Sequence, residues 1–317
     1  MLTQPLTQPQ SAADLIGAAF SLYRKHVPFI FKILVGPTVA AALASLALQW
    51  AVNYALVGGS NKPSAIALVV LVILGAFAAV LAAKWILTIR QLALVRHANG
   101  FAREFPEADR YMWSRRWAVL GILLLAIVVI VAVTIAWTIE LSLAVWIARA
   151  GQAGTALSVV GILFGALGLC LTLGYAVVLL YMVLSVLACE ESPLSIIISR
   201  ATRLTFRDSA RALGFGALLI ITISAMSYPL SLPIVAITAF DVVKHGLTAG
   251  SLSESYKLPF YLMVLNQTWE SLVNMLLWPV TYLAYGFFYQ DLRLRQEGLD
   301  LVRQLEALPG ADRLANG

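Results

Sequence analysis

Six long, nearly uncharged runs dominate the chain, at about residues 29–57, 64–90, 118–147, 156–188, 212–238 and 259–288. A helix crosses a bilayer with about 20 mainly apolar residues, and each run is long enough. The chain is 61% hydrophobic and only 12% charged. A soluble domain carries about 25% charged residues, so the apolar excess is too large for a core alone. The expected fold is all-α and integral to the membrane. It has six transmembrane helices in three hairpins, each preceded by a cytoplasmic interfacial amphipathic helix.

Three segments carry the interfacial expectation. After a polar tail (1–10), Ser11 reads as an N-cap with Asp14 three residues on, and Arg24, Lys25 and His26 close the helix. Residues 101–117 place Pro106 at a helix start, with Trp113 and Trp117 four apart. The longest segment, residues 189–215, reads as a helix with Ser192 as N-cap and Pro193 in its first turn. Arg200, Arg203, Arg207 and Arg211 recur there at spacings of 3, 4 and 4. That periodicity puts them on one face, aimed at the phosphates of anionic lipid headgroups.

Charge sets the orientation. Of the 22 Lys and Arg, 17 fall on one side of the six spans. The other side holds Lys62, Arg149, Lys244 and Lys257, and Lys84 lies within a span. Basic residues collect in cytoplasmic loops, so both termini are expected in the cytoplasm. The net charge of +6 is thereby accounted for without nucleic acid as a partner. A single membrane domain covers 11–308, with three parallel units at about 11–100, 101–190 and 191–290. A C-terminal amphipathic helix follows over 290–308, and 309–317 form a tail. Pro229 and Pro233 predict a kink or early end in the fifth span.

Ionisable groups inside spans are costly and point to function. Lys84 lies near the cytoplasmic end of its run and can snorkel. Glu140, Glu270, Asn266 and Asn53 are candidates for one polar cavity open to the outside, with Gln49, Gln267 and Asn274 nearby. Alternatively, each is an interfacial residue touching water. Gly161 and Gly165 form a GxxxG that permits close helix packing. The three histidines fall in separate segments, and no metal spacing, phosphate loop or nucleophile motif occurs. No catalytic, cofactor-binding or metal-binding residue is assigned, and no cofactor is expected.

Two longer stretches carry a resemblance. Cys189-Glu190-Glu191-Ser192-Pro193-Leu194, followed by Arg200-Ala-Thr-Arg203-Leu-Thr-Phe206, is one. Tyr285-Gly-Phe-Phe-Tyr289-Gln-Asp291-Leu-Arg293-Leu-Arg295-Gln-Glu297-Gly298-Leu-Asp300 is the other. With Asp14 to Arg24, they resemble the bacterial family named for the membrane domain of glycerophosphoryl diester phosphodiesterases. The resemblance implies six spans and a cytoplasmic C-terminus. In that family hydrolysis belongs to a separate soluble barrel that this sequence lacks, so no catalytic residue carries over.

The leading expectation is a non-enzymatic bacterial inner-membrane protein, an accessory, scaffold or assembly subunit of a membrane complex. Its partners would be membrane lipids and other complex subunits. The alternative is a transporter or channel-like protein with a polar site around Glu270. Lipid handling is the third.

Overall fold

A computed structural model describes residues 8–58, 63–148, 152–249 and 259–298. The tail up to residue 7, the turn at 59–62 and the proposed C-terminal stripe at 299–308 lie outside the described residues. All regular structure among those described is helical, in nine elements. In order they are α1 (Ala12–Lys25), α2 (Val27–Gly58), α3 (Pro63–Ala98), α4 (Phe105–Ser114) and α5 (Arg116–Ala148). Then come α6 (Gln152–Cys189), α7 (Leu194–Arg207), α8 (Ser209–Ala249) and α9 (Phe260–Glu297). A short helix followed by two long ones thus occurs three times. The six long helices are each apolar and long enough to span a membrane. Lipid offers no hydrogen bonds to the backbone, and a helix satisfies its own.

Local signals explain the ends. Ser11 caps α1: its hydroxyl accepts from the Asp14 amide at 3.2 Å, and the Asp14 carboxylate receives the Ser11 amide. Gly298 ends α9 in the left-handed conformation at φ 64°, which glycine adopts without steric cost. The helix therefore runs unbroken through residues 290–297, and no separate helix begins at 290. The N-cap of α7 is Pro193, not Ser192.

Neither Pro229 nor Pro233 ends the fifth span, because α8 continues through both. Pro233 has no N–H for the preceding turn. Beside it, the Trp269 indole of α9 donates to the Leu230 carbonyl at 2.7 Å. This bond ties α8 to α9 beside the interrupted turn, whose unpaired carbonyl is that of Pro229.

Helix α9 is the axis of the molecule. It packs on α1, α2, α3, α6, α7 and α8. Two-thirds of its most apolar window is buried, against a fifth or less for most of the other spans. Tyr285, Phe287, Phe288 and Tyr289 are sealed inside, with Phe288 stacked on Phe215 of α8 at 4.1 Å between ring centroids. Gly286 allows the approach of α3: a β-carbon there would meet Val95 at 2.7 Å and Asn99 at 2.8 Å. Gly161, Gly165 and Gly168 share one face of α6. Trp137 of α5 covers Gly168 and donates to Thr172 at 3.0 Å. Gly168 thus serves packing within the chain.

Candidate functional site: a polar cleft above an ionic base

One end of the molecule is held by buried charge. The carboxylate of Asp291 is fully buried on α9. It accepts from the Gln10 amide at 2.8 Å, from Arg211 at 2.7 Å and from Arg295 at 3.0 Å. Both arginines also donate to the Gln10 carbonyl, so the chain entering α1 is clamped between α8 and α9. One turn away, Glu190 accepts from Arg200 at 3.0 Å and from the Tyr289 hydroxyl. Arg200 also pairs with Glu297, which in turn receives Arg293.

The segment between α6 and α7 is tied from every side. Arg96 of α3 donates to the Ala188 carbonyl and to Glu191, and its guanidinium lies 3.6 Å from the centre of the Tyr111 ring. The Tyr111 hydroxyl donates to the Glu190 carbonyl, and Arg115 donates to that of Ser192. Burial pushes the Tyr111 phenol above its ordinary range, with Arg115 and Arg96 opposing. Asp109, paired with Arg90 at 3.0 Å, is also raised by burial, against the pull of that arginine. Buried charges need such partners, and here nearly all are within the chain.

This corrects one expectation. The four arginines of residues 200–211 do not share a helix face. Helix α7 stops at Arg207, Asp208 turns the chain, and Arg211 belongs to α8. Arg200 and Arg211 serve the base, whereas Arg203 and Arg207 stay exposed.

Above the base, α2, α3 and α9 enclose a cleft of about 260 Å³. Helix α2 contributes Thr38, Ser45 and Gln49, and α3 contributes Lys84 and Gln91. Helix α9 contributes Gln267, Glu270, Ser271 and Asn274, with Trp278 beneath them. From Gln267 to Trp278 is eleven residues of helix, about 16 Å at 1.5 Å each. Gln49 donates to Gln267 across one end at 2.9 Å. At the other end the Lys84 amine sits 4.3 Å from the centre of the Trp278 ring.

Two of the lining side chains are buried with an oxygen that meets no partner among the described residues. They are the Thr38 hydroxyl, on a residue 8% exposed, and the Gln91 amide oxygen, on a residue 2% exposed. A buried acceptor left unpaired costs about 1–3 kcal/mol. Such a group calls for a partner, which an ordered water, an ion or a ligand can supply.

Compared with known protein families, characterised proteins and solved structures, the chain matches none.

Of the three cavity candidates whose side chains are described, Glu140, Glu270 and Asn266, the cleft includes Glu270 alone. Glu140 is exposed on α5, which packs on α6 and α3 and not against the face of α9 that bears Glu270. Asn266 is exposed, one position off the stripe formed by Gln267, Glu270, Ser271 and Asn274. The Asn53 side chain lies outside the described residues. Lys84, expected to snorkel, turns into the cleft instead. Thr38, Ser45 and Gln91 are site residues that the charge pattern of the sequence does not mark. A signal was present: Thr38 and Ser45 are seven apart, as are Lys84 and Gln91, so each pair shares a helix face.

Proposed function

We propose that the protein is a multi-pass carrier of the bacterial inner membrane, not an enzyme, and that a small polar, charged group passes through the cleft between α2, α3 and α9. The observation that carries this is the cleft's content. An amine, a carboxylate and two unpaired buried oxygens gather in apolar helices, where each is costly. This chemistry suits binding, with a charge of each sign and several amides.

The wider arrangement belongs to the same proposal. Three hairpins are each entered by an amphipathic helix, α1, α4 or α7, lying on the cytoplasmic surface with both termini. The 17 basic residues on that side support it. Arg203 and Arg207 meet anionic lipid phosphates. The likeness of residues 189–206 and 285–300 to the phosphodiesterase membrane-domain family supports a six-span membrane domain.

The test is transport by purified protein in sealed vesicles, with a panel of small zwitterions and zwitterionic lipids. Wild type accelerates the crossing of at least one. Glu270→Gln and Lys84→Met each slow it by about tenfold or more, the loss expected for one charged hydrogen bond. Vesicles that accelerate nothing, or variants as fast as wild type, refute the reading.

A second reading, an accessory subunit, has its own observation. Five spans bury about a fifth or less of their apolar windows, leaving broad surfaces between them. A partner subunit retained through purification in mild detergent would favour it. A monodisperse single chain would count against it.

A further inference from the structure

The polar cleft does not end at the helices that enclose it. On the opposite side of the α2–α9 contact lies an apolar groove of about 240 Å³. Cleft and groove share five residues: Thr38, Ala42, Gln267, Ser271 and Met275. Three of these are small, and methionine adapts its shape readily. The wall between the two spaces is therefore thin and deformable. Val39, Leu43 and Leu272 border the groove and face outward, each at least 43% exposed. A space lined by charge thus opens sideways into one lined by hydrocarbon, at the surface that meets lipid.

Resting on the carrier reading, we propose that the cleft takes the head group of a zwitterionic phospholipid bearing a primary ammonium. It would enter from the bilayer through the α2–α9 seam with an acyl chain lying in the groove. Size divides the ligand this way. Pockets for whole small molecules run from about 300 Å³ upward, so a cleft of about 260 Å³ holds a head group and not a lipid. The chain must lie elsewhere, and the groove adjoins the cleft where it would emerge.

Charge selects the head. Lys84 supplies a cation for a phosphodiester, and Glu270 an anion for an ammonium. A ligand of net charge would leave one of them uncompensated within the membrane, which a zwitterion avoids. The Gln91 amide oxygen can only accept, and the Thr38 hydroxyl oxygen has room to. Both suit N–H donors, which a primary ammonium has and a trimethylammonium lacks. No covalent step is involved.

The experiment uses the full chain in sealed vesicles of phosphatidylcholine and phosphatidylglycerol. Trace phosphatidylethanolamine or phosphatidylcholine carries a fluorophore on a short acyl chain, and dithionite bleaches only the outer leaflet. Flux of soluble glycerophosphoethanolamine, a phosphodiester with the same zwitterionic head, is measured in parallel. Wild type should flip the ethanolamine lipid faster than the choline lipid. Glu270→Gln and Lys84→Met should each cut that rate by about tenfold or more. Leu43→Trp, which crowds the groove at a position outside the cleft, should slow the lipid and spare soluble glycerophosphoethanolamine. Size-exclusion profiles and thermal midpoints matching wild type exclude misfolding of a variant.

Transport of soluble glycerophosphoethanolamine without lipid movement overturns this proposal and leaves the carrier reading standing. Equal rates for the two lipids overturn the assignment of a primary amine. No movement of any probe overturns both.

Discussion

Asp291→Ala tests whether the ionic base is structural. The carboxylate is fully buried and holds three donors, from Gln10, Arg211 and Arg295. Removing it leaves two guanidiniums facing each other around an emptied site. Breaking a buried pair costs about 3–5 kcal/mol. The two arginines keep 24% and 36% of their side-chain exposure, so water screens part of the loss. The lower end, about 3 kcal/mol, is therefore expected. At about 2–4 °C per kcal/mol for a chain of this size, the thermal midpoint should fall by about 6–12 °C. The assay heats the protein in mild detergent and follows the surviving peak by size exclusion. Arg203→Ala, on an exposed position of α7, is the control and should stay within about 0.5 kcal/mol. An Asp291→Ala midpoint within about 2 °C of wild type would refute the role given to this residue.

Other expectations follow the same logic. Gly286→Val should cost about 1–3 kcal/mol, because the new side chain meets Val95 and Asn99 at close range, and the same heating assay would detect it. Lys84→Met should leave stability unchanged or raise it by about 1 kcal/mol, since a site residue held at a cost to the fold is not needed by the fold. A fall in midpoint comparable to that of Asp291→Ala would make Lys84 structural. Arg203→Glu with Arg207→Glu should weaken retention on anionic vesicles of detergent-free protein in nanodiscs by about 1 kcal/mol per charge, measured as co-flotation against salt. Unchanged flotation would remove the lipid role of these two.

The spans were legible because lipid imposes a simple rule. Apolar residues must face it everywhere, and helices are the way to bury the backbone. What the runs did not reveal is which helix sits at the centre. In water the most apolar element is the most buried, but in lipid the relation reverses. Helix α9 has the lowest mean hydropathy of the six, 1.2 against 1.9–3.2, and is the most buried. Its Asn, Gln, Glu and Tyr content was therefore a sign of the interior.

The site was partly legible. Glu270 stands out as a charge in an apolar run, with Gln267 and Asn274 as polar neighbours. Joining it to Glu140 failed because similar distances from the ends of runs say nothing of which helices touch. Periodicity places the arginines of residues 200–211 on a single helix. Asp208 interrupts that helix, and partners distant in sequence, Asp291 and Glu297, claim two of the four. The stretches that carry the family resemblance turn out to touch. Glu190 meets Tyr289 and Arg200, and Asp291 holds the residue before Ser11. Their spacing in the sequence reflects a contact that composition could not foresee.

Water access to the cleft tests the central claim most directly. In a background with Cys170 and Cys189 replaced, Ser271→Cys and Leu272→Cys are reacted with a charged, membrane-impermeant thiol reagent in sealed vesicles. Ser271 lines the cleft, and Leu272 faces outward beside it at 43% exposure. A working polar cleft predicts rapid labelling at 271, slowed by soluble glycerophosphoethanolamine, and none at 272, where lipid covers the thiol. Equal protection of both positions would mean that the cleft is sealed from water and carries nothing.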